Sequence, residues 1–167
     1  MKETTAKKKF MWNMAGSLCN SLSSMLLLII VNRISGESRG GFFALAYSTA
    51  QLLFSVGGFE IRPVQSTDIK NKFTFNQYFT SRMLNCIIML ICMIGYIVVN
   101  GYTGVEALTV FWILGYRMVE AVADVYSGLF QQRERIDISG KEMLMRSGIS
   151  TITFTIILWL TDNLLYA

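Results

Sequence analysis

Apolar segments long enough to cross a bilayer recur along this chain, and they leave few folds open to it. A membrane-spanning helix needs about 17–25 predominantly apolar residues. Five stretches qualify: Phe10–Val31, Phe42–Phe59, Met83–Val99, Val105–Gln131 and Met143–Leu165. Only 16% of the 167 residues are charged, 53% are hydrophobic, and there is one proline and no histidine. A soluble domain carries about 25% charged residues. The expected fold is all-α: one polytopic helical membrane domain of five spans. A transmembrane barrel would show alternating strands of about ten residues, and none is visible. With no histidine and three scattered cysteines, Cys19, Cys86 and Cys92, the chain offers little to bind zinc or haem. The cysteines read as small packing residues, and no cofactor is expected.

The fourth segment is the unusual one. Arg117, Glu120 and Asp124 lie inside its apolar run. At about 100° per residue, Glu106, Arg117, Glu120, Asp124, Ser127 and Gln131 share a stripe roughly 80° wide. Each charge at mid-bilayer costs about 2.5–3.5 kcal/mol on insertion scales. Such a stripe faces a water-filled cavity or a partner helix, not lipid. Arg117 and Glu120 stand at i,i+3, so an ion pair within the helix is the structural alternative to a functional stripe. The first segment carries a polar face of Asn13, Ser17, Asn20, Ser21 and Ser24, opposite Met14, Leu18, Leu22 and Met25. It suits close helix packing through small residues, or a polar lumen. The second segment adds Ser48, Gln51 and Ser55.

Between the segments, the proline in Glu60-Ile-Arg62-Pro63 is expected to stop a helix or mark a loop. Residues 66–78 read as an interfacial stretch whose aromatics form a membrane-surface belt. Asn100–Gly104 reads as a tight turn joining spans three and four.

Charge sets an expected orientation. With five spans, Lys2, Lys7, Lys8, Lys9, Arg62, Lys70, Lys72, Arg82, Arg133, Arg135, Lys141 and Arg146 fall on one side. Arg33 and Arg39 fall on the other, and Arg117 lies within a span, which completes the fifteen. The N-terminus is therefore expected in the cytoplasm and the C-terminus outside.

Four places resemble the N-terminal part of the polysaccharide repeat-unit flippases (Wzx-type) of the MOP exporter superfamily. They are the Lys-rich start leading into Trp12-Asn13 through Ser24; Gly58-Phe-Glu-Ile-Arg62-Pro-Val-Gln65-Ser-Thr-Asp68, similar to an Arg-x-x-Gln-x-x-Asp pattern; Phe79-Thr-Ser-Arg82; and Glu120 with Phe130-Gln131-Gln132-x-Glu134-Arg135. The resemblance implies a MATE-like lobe in a bacterial cytoplasmic membrane. The implied cargo is an undecaprenyl-diphosphate-linked oligosaccharide, moved to the outer leaflet for capsule or O-antigen synthesis. Arg62 and Arg117 would contact the diphosphate, since a guanidinium matches phosphate oxygens and stays charged. Glu120 and Asp124 would be coupling acids. Asn13, Ser17, Asn20, Ser24 and Gln51 would line the cavity.

Members of that family have twelve to fourteen helices in two lobes. A five-helix chain is expected to be an N-terminal portion, or to assemble with the remaining transporter half, a glycan polymerase or glycosyltransferases. Two other functions stay open: a cation-coupled multidrug antiporter, and a membrane scaffold that transports nothing. No catalytic constellation stands outside the spans, so an enzyme is not expected, and the positive charge beside apolar segments does not suggest nucleic acid.

Overall fold

A computed structural model describes the backbone of residues 2–58, 61–68 and 72–164, with side chains except those of residues 2–5 and 56–58. Glu60 and Lys70 lie outside the described residues. Among the described residues every regular element is an α-helix: α1 (Lys2–Ser35), α2 (Glu37–Gly58), α3 (Ile61–Thr67), α4 (Phe75–Asn100), α5 (Gly104–Gln132) and α6 (Ile136–Thr161). Three of them, α1 from Ala6 onward, α4 and α6, are long and apolar enough to cross a membrane.

The helices run further than the apolar segments, because charge alone does not end a helix. The Lys-rich start is helical and continuous with the first span. Gly40 and Gly41, which stand between the first two apolar segments, lie in α2. The stretch before Met83 is helical from Phe75, where the backbone N–H of Thr74 donates to Gln77 Oε1 (2.8 Å) and caps the first turn. The charged loop after α5 shrinks to Arg133–Arg135, with Glu134 at φ 57°. Pro63 does not stop a helix: it sits in the first turn of α3, where no intrahelical partner needs its missing N–H.

The described chain packs as two units, one made of residues up to Gly41 together with those from Arg133 onward, the other of Phe42–Gln132. In the first, α1 and α6 run parallel. Lys9 Nζ donates to the Glu134 carbonyl (2.9 Å), Ser147 Oγ donates to Asn20 Oδ1 (2.8 Å), and Arg39 Nη1 reaches the Asp162 carbonyl (3.0 Å). The contacts therefore advance in step along the pair, the first made to the loop ahead of α6 and the last from the first turn of α2. The crossing point is Gly16 against Gly140: a Cβ on Gly16 would lie 2.9 Å from the Gly140 Cα, and a Cβ on Gly140 would meet the Trp12 carbonyl. Only glycine lets the two backbones approach this closely. Ser23, Leu27 and Val31 of α1 and Ser139, Ser147 and Leu158 of α6 are buried.

In the second unit α4 and α5 form an antiparallel hairpin. Gly101, at φ 67°, ends α4: its amide donates to the Val98 carbonyl and the Tyr102 amide to the Ile97 carbonyl, both at 3.1 Å. The short α3 packs on α5 and α4, with Ile61, Tyr78 and Val125 forming a small core under Phe75 and Phe79. Phe75 and Phe79 both pack against Tyr126, tilted and edge-on, at 5.3 and 6.4 Å between centroids. Tyr78, expected in a surface belt, is thus a core residue; Phe73 is exposed.

Candidate functional site

Helix α5 carries the site. Its charges at positions 117, 120 and 124 recur every three to four residues and so face one way. Arg117 is 3% exposed and Glu120 5%, although neither lies at a helix end. A buried charge persists when it is paired and hydrogen-bonded, and here Arg117 Nη1 donates to Glu120 Oε2 on the same helix. The guanidinium carbon lies 4.3 Å from the ring centroid of Tyr47 in α2 and 5.8 Å from that of Tyr116, so its positive charge sits over aromatic faces. Among the described residues Arg117 Nε and Nη2 have no hydrogen-bond partner.

Two turns further on, Asp124 takes a guanidinium on each oxygen. Arg62 Nη1 of α3 meets Oδ1 at 3.0 Å, and Arg82 Nη2 of α4 meets Oδ2 at 2.8 Å. The Arg82 side chain is 1% exposed and that of Arg62 27%. One carboxylate thus fastens three helices, with two guanidinium groups on the one acid among the described residues. The Arg117–Glu120 pair is neutral.

The run Arg62-x-x-Gln65-x-x-Asp68 lays three successive turns of α3 and its exit against the same partner. Gln65 is fully buried over Gly128 of α5, and among the described residues neither amide atom of Gln65 has a hydrogen-bond partner. The Asp68 carbonyl accepts Gln132 Nε2 at 2.6 Å. The Asp68 carboxylate accepts the backbone N–H groups of Lys72 (2.9 Å) and Phe73 (3.0 Å) and the Tyr78 hydroxyl (3.0 Å). The Phe73 and Lys72 amides hold this carboxyl below its ordinary pKa, against a small opposing effect of burial.

The expected site residues fare unequally. Arg117, Glu120, Asp124 and Ser127 turn toward protein, but Glu106 and Gln131, expected on the same stripe, are exposed. Arg62 and Arg117 are drawn to the acids of α5: each expected phosphate contact is already ion-paired with an expected coupling acid. Of the polar face of α1, Asn20 bonds to α6, Asn13 and Ser24 are half-buried, and Ser17 is exposed. Ser24 Oγ turns back on its own helix, to the Asn20 carbonyl at 3.4 Å. Gln51 is exposed on α2. At Asn20, then, the face serves helix packing. Sequence reasoning missed Arg82 and Tyr47 as members of the site. Arg82 carried a signal, a charge at the edge of the third apolar segment that enters both the orientation count and the Phe79-Thr-Ser-Arg82 resemblance, but nothing in its local spacing points to Asp124.

Among the described residues no group of His, Cys, Asp or Glu side chains could hold a metal ion. The chain matches no known protein family, no curated protein and no solved structure. What stands on its own geometry is an all-helical protein, with three helices able to cross a membrane and a charge-bearing fourth whose ion pairs face its neighbours.

Proposed function

We propose that the chain crosses the membrane five times and forms part of a flippase for lipid-linked oligosaccharides. Three observations support five crossings. The α1 and α6 helices are parallel, so if both cross, an odd number of crossings separates them. That leaves three or five in all. At 22 and 29 residues, α2 and α5 span about 33 and 44 Å at 1.5 Å per residue, enough for a core of about 30 Å. A three-crossing layout would put Arg62, Lys70 and Lys72 outside, against the charge rule, whereas five crossings keep them in the cytoplasm with the N-terminus. In this reading α5 inserts despite its charges because Arg117, Glu120 and Asp124 are paired within the protein.

The transport reading rests on one observation above the others: buried guanidinium groups in α5 and beside it, held by carboxylates that an incoming diphosphate would displace. Arg117 and Arg62 would exchange Glu120 and Asp124 for phosphate oxygens, which accept the same planar fork. The cargo would be an undecaprenyl-diphosphate-linked glycan, taken from the cytoplasmic to the outer leaflet of a bacterial membrane, with the remaining helices supplied by further chain or by a partner. The test is Arg117→Ala in a complete transporter: export of the lipid-linked glycan should collapse while the protein stays in the membrane. Undiminished export would sink the proposal. A second reading, a membrane scaffold that transports nothing, is favoured by the pairing itself, because an ion pair that only makes α5 insertable needs no cargo. The same substitution separates the two, since a scaffold would keep its binding partners. A cation-coupled multidrug antiporter fits less well, because a cationic substrate gains nothing from Arg117, Arg62 and Arg82.

A further inference from the structure

The two ends of the α1/α6 pair differ in charge. Because the helices are parallel and in step, the start of α1 and the start of α6 share one end. Among the described side chains that end holds seven basic ones, Lys7, Lys8, Lys9, Arg133, Arg135, Lys141 and Arg146, against three acidic ones, Glu134, Asp137 and Glu142, the last paired with Arg146 at 2.8 Å. Arg135 is taken up by Asp137 at 3.1 Å, and Lys9 lies on the Glu134 carbonyl. Lys8, Arg133 and Lys141 are exposed. At the other end the charges of Arg33, Glu37, Arg39 and Asp162 cancel, and Arg39 faces Asp162 at 3.6 Å.

The basic end also has the form of a bilayer surface contact. Helix α1 continues without a break from Lys2 to Ser35. Its 34 residues make about 51 Å at 1.5 Å per residue, well beyond a hydrocarbon core of about 30 Å. With the apolar run from Phe10 to Val31 in the hydrocarbon, the turns ahead of Phe10 would stand in the headgroup layer. Phe10 and Met11 are 60% and 63% exposed just beneath them. Lys141 of α6 lies over the Trp12 ring, its Nζ 5.3 Å from the centroid. That places an ammonium and an indole N–H at one level, the arrangement found where one end of a side chain is apolar and the other wet.

We infer that this end of the α1/α6 pair is a docking site for anionic phospholipid headgroups, with the exposed Lys8, Arg133 and Lys141 taking the lipid phosphate and Trp12 beside Lys141. Juxtamembrane basic residues each attract anionic lipid, within a Debye length of the surface. The inference needs only α1 and α6 to cross, and does not depend on transport.

The two tryptophans of the pair supply the test and its control, because Trp12 marks the basic end and Trp159 the end whose charges cancel. The full chain is reconstituted in phosphatidylcholine vesicles with one tryptophan kept, Trp12 in W112F/W159F or Trp159 in W12F/W112F. Quenching by brominated phosphatidylglycerol is compared with quenching by brominated phosphatidylcholine. Trp12 should favour the anionic quencher about fivefold or more, the order of magnitude that one near-surface basic side chain contributes. Trp159 should show no preference. Adding Lys8→Gln, Arg133→Gln and Lys141→Gln to the Trp12 protein should bring its preference down to that of Trp159, with helix content unchanged by circular dichroism. Equal quenching of Trp12 by the two lipids would overturn the inference. So would the same anionic preference at Trp159, or a preference that survives the three substitutions.

Discussion

Helices α1 and α6 hold together by nearness, whereas α3, α4 and α5 add a shared charge cluster to their small apolar core. In the first pair two glycines let the backbones touch, and serines, Leu27 and Val31 fill the seam. In the second group a single carboxylate, Asp124, gathers Arg62 from α3 and Arg82 from α4. Lipid chains are as apolar as leucine, so burying apolar surface between helices brings little in a bilayer. What remains is van der Waals contact at close range, or pairing of groups that lipid cannot solvate. The first device tolerates no added volume; the second tolerates no unmatched charge.

The sharpest way to break the contrast is Asp124→Leu. It removes the acid that two guanidinium groups share, and breaking a buried pair costs about 3–5 kcal/mol. Denaturant titration in mixed micelles should show that loss in residues 42–132, with Arg82→Met milder because Asp124 keeps Arg62. Next comes Gly16→Leu, which should cost about 1–3 kcal/mol through overpacking. Its readout is a disulfide between cysteines placed at Asn20 and Ser147, formed in the parent and lost in the variant. Ser147→Ala should cost only about 0.6 kcal/mol, the average for a hydrogen bond between membrane helices, because the glycine crossing and not this bond sets the α1/α6 distance. A larger loss would mean that polar pairing matters there too.

The smallest effect is at Asp68, outside the hydrophobic segments. Its carboxyl pKa is depressed by the Phe73 and Lys72 amides, so its hold on the α3–α4 connection is present above the ordinary value of about 3.9 and fades as pH falls through the lower folded value. Hydrogen exchange at the Lys72 and Phe73 amides should accelerate on acidification beyond its intrinsic trend. In Asp68→Asn it should be fast at neutral pH and lack that extra step.

The helices were legible because bilayer crossing demands long apolar runs. Their ends were not, because the markers used were charges: Lys7–Lys9, Arg82 and Asp137 all sit comfortably in helical turns. The Arg117–Glu120 pair could be read at i,i+3. The Arg62 and Arg82 contacts to Asp124 could not, because they close loops of 62 and 42 residues whose geometry no local spacing contains. The parallel pairing of the first helix with the last was hidden for the same reason. The glycines that make it possible, Gly16 and Gly140, look like any others in the chain.

If α5 crosses the membrane as proposed, a charged helix whose partners are inside the protein, the Gly101–Thr103 turn lies on the external face. A single cysteine at Tyr102, in a chain freed of Cys19, Cys86 and Cys92, decides it. A membrane-impermeant maleimide should label that cysteine in intact cells. Labelling only after the membrane is opened would put the turn in the cytoplasm, leave α1, α4 and α6 as the crossing helices, and contradict the five-crossing account.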